Sequence, residues 1–227
     1  MNNMKPGRLD GWGASGFKDN RAVYFGRETR PADESRDEYN QAIDRARKSE
    51  TPVMIAHFRK AAGSAAPAIA NIHPFHWRDW IFAHDGTIFG AAASLPLNET
   101  APYGDADSER FFLWIWEVVH ATVDPTDALA ALLKKSRETL VYSSLNFLMS
   151  DGRTLWAYRD VGEKRLDKGE TLEDREKYYT LYTAASGKHA LICSEPLKAV
   201  AKRWQPLGQR TLAAFTAGKT APHLLAV

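Results

Sequence analysis

HFRKAAGSAAPAIANIHPFHWRDWIFAHDG, from His57 to Gly86, sets Arg59, four histidines, a proline turn and an Asp-Gly turn between short apolar runs. Just upstream, Pro52 admits the run VMIAHF, which reads as a strand with His57 at its end and Arg59 two residues beyond it. Gly63 to Ala70 is rich in small residues and suits a loop, and Trp80 to Ala83 reads as a short buried strand closing on the turn His84-Asp85-Gly86.

Working outward, Asp10-Gly11-Trp12-Gly13 opens on a turn, Arg21 to Phe25 reads as a strand, and Asp37 to Lys48 as a surface helix. Residues 87–107, with Pro96, Pro102 and Gly104, read as loop. RFFLWIWEVVH (110–120) repeats its apolar residues at helical spacing, with Asp107 or Ser108 as the expected N-cap. A second helix is predicted from Pro125 to about Thr139, started by the proline. SLNFLMSDG (144–152) and TLWAYR (154–159) read as a hairpin, and KYYTLYTA (177–184) with HALICSE (189–195) as a second pairing. The tail mixes turns with short apolar pieces. No repeat, low-complexity tract or linker divides the chain, so residues 1–227 read as one domain. Helices set between groups of strands point to an α+β sandwich.

Composition bounds the function. The 227 residues are 44% hydrophobic, enough for a proper core, and 30 basic against 28 acidic side chains leave a net charge of +2. Thinly spread Lys and Arg suggest neither a nucleic-acid groove nor a polybasic membrane patch. One cysteine, Cys193, excludes an internal disulfide framework, and no apolar run reaches membrane-spanning length, so a cytoplasmic location is expected.

Arg59, at a strand end, has the planar fork to clamp a carboxylate, or equally to make a surface ion pair. Gly86 can offer an unobstructed backbone N–H to a developing oxyanion, but Asp85 beside it, when ionised, can only accept hydrogen bonds. His57, His73, His76 and His84 match no tight zinc template and read first as satisfied structural histidines. No metal or cofactor is expected, and a metal-dependent hydrolase using His57, His73 and His84 is the weakest alternative. Asp107 and Glu109 read as capping and first-turn charge, although a carboxylate at Asp107 could also take a substrate amino group.

Taken in order, several fragments resemble the class II glutamine amidotransferases, especially compact stand-alone bacterial members. They are Asp10-Gly11-Trp12-Gly13, His57-Phe58-Arg59-Lys60-Ala61, Asn71-Ile72-His73-Pro74-Phe75, Phe82-Ala83-His84-Asp85-Gly86 and Asp107-Ser108-Glu109. Leu145-Asn146-Phe147-Leu148, Ser150-Asp151-Gly152 and Ser194-Glu195-Pro196-Leu197 follow. The resemblance implies a four-layer αββα sandwich of the N-terminal-nucleophile hydrolase type, missing its first strand. It implies hydrolysis of glutamine or of a related γ-glutamyl amide by a cysteine whose own α-amino group serves as base. Carried onto this chain, Arg59 would hold the α-carboxylate, Asp107 the α-amino group and Gly86 the oxyanion, with Asp85 in the oxyanion region and His84 lining the substrate side.

Two departures bear on activity. The family's nucleophile and first strand have no counterpart before Asp10, and Cys193 is internal, without a free α-amine. Asp85 stands where the family usually has Asn. An upstream segment outside these residues and a variant without amidase chemistry are both open; the short lead favours the first and Asp85 the second. The polypeptide as given is expected to be inactive. The alternative is a non-catalytic amino-acid-binding or partner-assembly protein. A homo-oligomer, or a partner covering an exposed sheet edge, is the further expectation.

Overall fold

The computed structural model describes residues 9–60, 68–201 and 203–227. The chain opens with β1 (Gly11–Lys18), β2 (Arg21–Glu28), α1 (Arg36–Ser49) and β3 (Met54–Arg59). There follow β4 (Phe75–Trp77), β5 (Trp80–Asp85), β6 (Ile88–Phe89), α2 (Ala91–Ser94), α3 (Asp107–Val119) and α4 (Pro125–Thr139). Next come β7 (Val141–Tyr142), β8 (Asn146–Ser150), β9 (Thr154–Arg159) and α5 (Leu172–Tyr178). The last strands are β10 (Tyr182–Ser186), β11 (His189–Cys193), β12 (Gln205–Pro206), β13 (Thr211–Thr216) and β14 (His223–Ala226).

The centre is a six-stranded sheet in the order β14-β13-β9-β8-β5-β4, antiparallel throughout. Side chains alternate across its two faces, as the period of a strand requires. Phe82, Phe147, Met149, Trp156, Tyr158, Leu212 and Ala214 pack with Phe111, Phe112, Ile115 and Trp116 of α3 and Leu129, Leu132 and Leu133 of α4. On the opposite face, Ile81, Ala83, Leu148 and Leu155 meet Phe17, Val53 and Ile55 from the sheet β2-β1-β3. Further along that face, Ala157, Ala213 and Phe215 meet Leu181, Leu207 and Ile192 around the sheet β11-β10-β12. α1 covers the far side of β2-β1-β3 through Ala42, Tyr39 and Ala46 against Trp12 and Phe25. The layers therefore run helix, sheet, sheet, helix. Each fully buried Phe or Leu contributes roughly 1.5–3 kcal/mol to holding them together.

The two three-stranded sheets lie on one face of the central sheet without a shared ladder, and β3 is an edge of its own. On that strand Met54 is 52% exposed and Phe58 46%. No described helix is long and apolar enough to cross a membrane.

Several local expectations need correction. Gly11 to Gly13 lies in a strand, not a turn, because β1 pairs with β2 and β3 at once. A Cβ on Gly13 would sit 2.1 Å from the His73 carbonyl oxygen, so the glycine serves close approach of two chains. His84 and Asp85 belong to β5 and continue its pairing with β8 as far as Asn146. Residues 87–107 contain β6 and the short α2. The N-cap of α3 is Ala106, with no side-chain cap, whereas Asp124 caps α4 by accepting from Thr126 N and Asp127 N. Lys177 and Tyr178 end α5, and only the later part of that run pairs with β11. In the tail, β13 enters the central sheet; TLAAFT is covered on both faces and so lacks a polar/apolar alternation. The expected loop at Gly63–Ala70 and the chain's lead lie largely outside the described residues.

Candidate functional site

β3 ends at Arg59, whose Nη1 is 2.7 Å from Asp10 Oδ2; the two side chains are 16% and 25% exposed. The backbone joins them too, Asp10 N donating to Arg59 O. The guanidinium thus stands at a strand end as expected, but any incoming carboxylate shares it with Asp10. Two residues back, His57 packs its ring 4.4 Å from that of His73. His73 is buried and His57 half-buried. His57 Nδ1 and both ring nitrogens of His73 lack a hydrogen-bond partner among the described residues. Among the described residues, the satisfaction expected of these histidines is not met at His57 Nδ1 and at His73. Leaving such groups buried and unpaired costs on the order of 1–3 kcal/mol each, which marks the cluster as something other than optimised core.

Electrostatics keeps the cluster neutral. Burial, followed by the charges of His84 and Arg59, pushes His57 down to about 4. His73 falls well below the usual histidine value for the same leading reason, with His57, His84 and Arg59 adding to it. His84 is also lowered by burial, against the opposing pull of the Asp107 charge and the Ser144 carbonyl.

His84 is fully satisfied. Its Nε2 lies 3.0 Å from Ser144 O, which can only accept, so Nε2 carries the proton and Nδ1 accepts from Ser108 Oγ at 2.9 Å. Next to Ser108, Asp107 Oδ2 accepts from Ile88 N at 2.5 Å and Oδ1 from Ser108 N at 2.9 Å. Asp107 is therefore not a cap but a clasp between the start of α3 and β6. On the other side of the same carbonyl, a Cβ on Gly86 would lie 2.1 Å from Ser144 O and 3.1 Å from His84 Nε2. His84, Asp107 and Gly86 form one packed unit, whereas the Arg59 charge bears on His57 and His73.

Asp85 has the opposite character. Its strand partner Asn146 is tied to Tyr179 O and Asp160 N, and is not engaged with it. Burial alone pushes its carboxyl up to about 6, although part of the residue stays accessible. Ionised, it repels a developing oxyanion; protonated, it has a single O–H to donate. Burial and the Asp85 charge raise Tyr178 above the usual tyrosine value. Cys193, on β11, is half-buried and its thiol is raised by burial, which suppresses the thiolate. Among the described residues no group of three His, Cys, Asp or Glu is arranged to hold a metal ion.

Sequence reading missed Ser108 and Ser144 as the partners that fix His84. Ser108 stood in the Asp107-Ser108-Glu109 fragment but was weighed only as a cap, and a backbone carbonyl such as that of Ser144 leaves no mark in a sequence.

The geometry can be set against known proteins. YafJ of Escherichia coli (strain K12), named as a candidate glutamine amidotransferase, is 29% identical over 165 residues, 66% of this chain. That match spans only 60% of YafJ's own length. A glutamine aminotransferase class-II domain protein of Silicibacter pomeroyi superposes with a TM-score of 0.61 at 20% identity, covering 96% of this chain and 91% of that one. The glutamine phosphoribosylpyrophosphate amidotransferase of B. subtilis gives 0.64 at 12% identity, covering 96% of this chain and 43% of that one. At these identities the structures establish a shared fold, the layered sandwich of the N-terminal-nucleophile hydrolases. The model of the family "Glutamine amidotransferases class-II" matches residues 3–225, and the chain belongs to that family.

Proposed function

We propose that residues 1–227 act as one amidotransferase-type domain that recognises the amino-acid end of glutamine or a γ-glutamyl compound. Arg59 takes the α-carboxylate, Asp107 the α-amino group, and Gly86 N–H faces the amide oxygen, with His84 holding the wall between them. The observation carrying this reading is the bonded unit of His84, Ser108, Ser144 and Asp107 packed against Gly86. It fixes a carboxylate beside a closely packed backbone position that only glycine fits, as substrate orientation requires.

These residues supply recognition and not the nucleophile. The one thiol among the 227, Cys193, lies inside β11 with its thiolate disfavoured. This chain by itself therefore releases no ammonia from glutamine. Calorimetry with glutamine and glutamate tests the recognition, and Arg59→Ala abolishes the heat if Arg59 is the clamp. Unchanged affinity in that variant, or thiol-dependent ammonia release by this chain, overturns the respective half of the reading.

The second reading, a binding or partner-assembly protein, is favoured by Met54 and Phe58 standing exposed on the edge strand β3. Sedimentation of the chain and of Met54→Lys distinguishes it: assembly through this edge is lost on placing a charge there.

A further inference from the structure

On the side of the molecule formed by the end of α4, a cavity of about 110 Å³ opens between Arg137, Tyr142, the Gly162–Lys164 segment and Arg210. Behind the lining residue Tyr142 lies Asp160, fully buried, which accepts from Tyr142 Oη at 2.8 Å, Tyr158 Oη at 3.1 Å and Gln209 Nε2 at 3.3 Å. The carboxylate's nearest cation, Arg210 Nε, is 3.9 Å away, too far for a hydrogen bond, and Arg210 Nη2 pairs with Glu163 at the rim. The lining thus carries Arg137, Lys164 and Arg210 against Glu163, with Asp160 behind it, three positive charges against two negative.

The excess charge has an address. The Nε atoms of Arg137 and Arg210 are both buried, and neither has a hydrogen-bond partner among the described residues. The Arg137 side chain has no ion pair there either, unlike Arg210. A buried guanidinium N–H without an acceptor is costly, and where the arginine lines a polar, solvent-sized space an anion in that space can supply the acceptor.

We propose that this cavity binds a phosphate-class oxyanion. The cationic residues of the lining come from three separate segments, α4, the stretch after β9 and the approach to β13. That arrangement suits the several oxygens of a tetrahedral ion, whereas a carboxylate offers two coplanar oxygens that a single arginine fork can take. The volume is well below the roughly 300 Å³ at which sites for drug-sized ligands begin. It admits inorganic phosphate or the terminal phosphate of a small metabolite, with the rest of the metabolite outside. The site shares no residue with the proposed glutamine pocket and does not depend on that reading.

Calorimetric titration of the whole chain with inorganic phosphate and with glycerol 3-phosphate, at ionic strength held constant with chloride, tests it. One saturable site is expected, weakened at least tenfold by Arg137→Met and by Lys164→Gln. Lys134→Met, an equal charge change on the exposed side of α4, leaves the affinity within twofold. Arg137→Met keeps the side-chain stem and loses no internal hydrogen bond, so folding is retained. Tighter binding of glycerol 3-phosphate assigns the site to phosphomonoesters, and equal or tighter binding of inorganic phosphate assigns it to the free ion. Absence of a saturable site for either probe, or equal weakening by Lys134→Met, overturns the proposal.

Discussion

Asp85→Asn isolates the cost of placing a carboxylate in the oxyanion region. Burial raises Asp85 from 3.8 to about 6. At about 1.36 kcal/mol per unit, keeping it ionised in the fold costs about 3 kcal/mol at pH 7.5. The residue retains some access to water, which trims this to about 1.5–3 kcal/mol. The folded form holds its proton more tightly than the unfolded chain. The penalty is therefore present above pH 6 and relieved as the pH falls through 6 toward 3.8, leaving about 0.5 kcal/mol at pH 4. Asparagine has nearly the same shape and no charge. Urea unfolding of both chains at pH 7.5 and 4.0 should show the variant gaining at least 1 kcal/mol more at the higher pH. With a slope near 2 kcal/mol per molar, that is a midpoint shift of about 0.5 M or more. Any difference in packing or amide desolvation appears at both pH values and cancels. Asp33→Asn, exposed on the surface, should move neither midpoint. Equal effects at the two pH values, or a larger gain at pH 4.0, would refute the assignment of Asp85 as a buried, raised carboxyl.

Gly86→Ala should destabilise by about 2–5 kcal/mol in urea titration, because the new methyl group collides with Ser144 O and disturbs the His84 hydrogen bond. Gly90→Ala meets no atom within 4 Å and carries only the cost, about 1 kcal/mol, of a residue with φ of +70°; a ranking reversed between the two would contradict the close approach. Arg175→Met removes a guanidinium that is 2% exposed and donates to the carbonyls of Gly162, Lys164 and Arg165 while pairing with Glu170. A loss of about 3–5 kcal/mol is expected by the same titration, and a loss below 1 kcal/mol would show those bonds to be dispensable. Asp124→Ala, which strips the cap of α4, should cost about 1 kcal/mol by thermal unfolding, with no change counting against the cap.

The chain order alone determined much. Aromatic and aliphatic residues at helical spacing marked α3, and two short apolar runs either side of a turn, SLNFLMSDG and TLWAYR, marked the β8–β9 hairpin. Those signals are local, because α3 writes its one buried face into its own sequence and the strands, covered on both faces, read as short apolar runs. The ordered fragments from Asp10 to Leu197 carried the family. Only the tertiary structure decided what surrounds each functional group. It gave Arg59 its partner Asp10 across 49 residues, fixed the proton of His84 by opposing it to a carbonyl 60 residues away, and left the nitrogens of His73 unpaired. It also turned Arg137 and Arg210, unremarkable in the sequence, into walls of one charged cavity. Desolvation and hydrogen-bond satisfaction depend on atoms brought together from distant segments, and periodicity reports only which face of an element is covered, not by what.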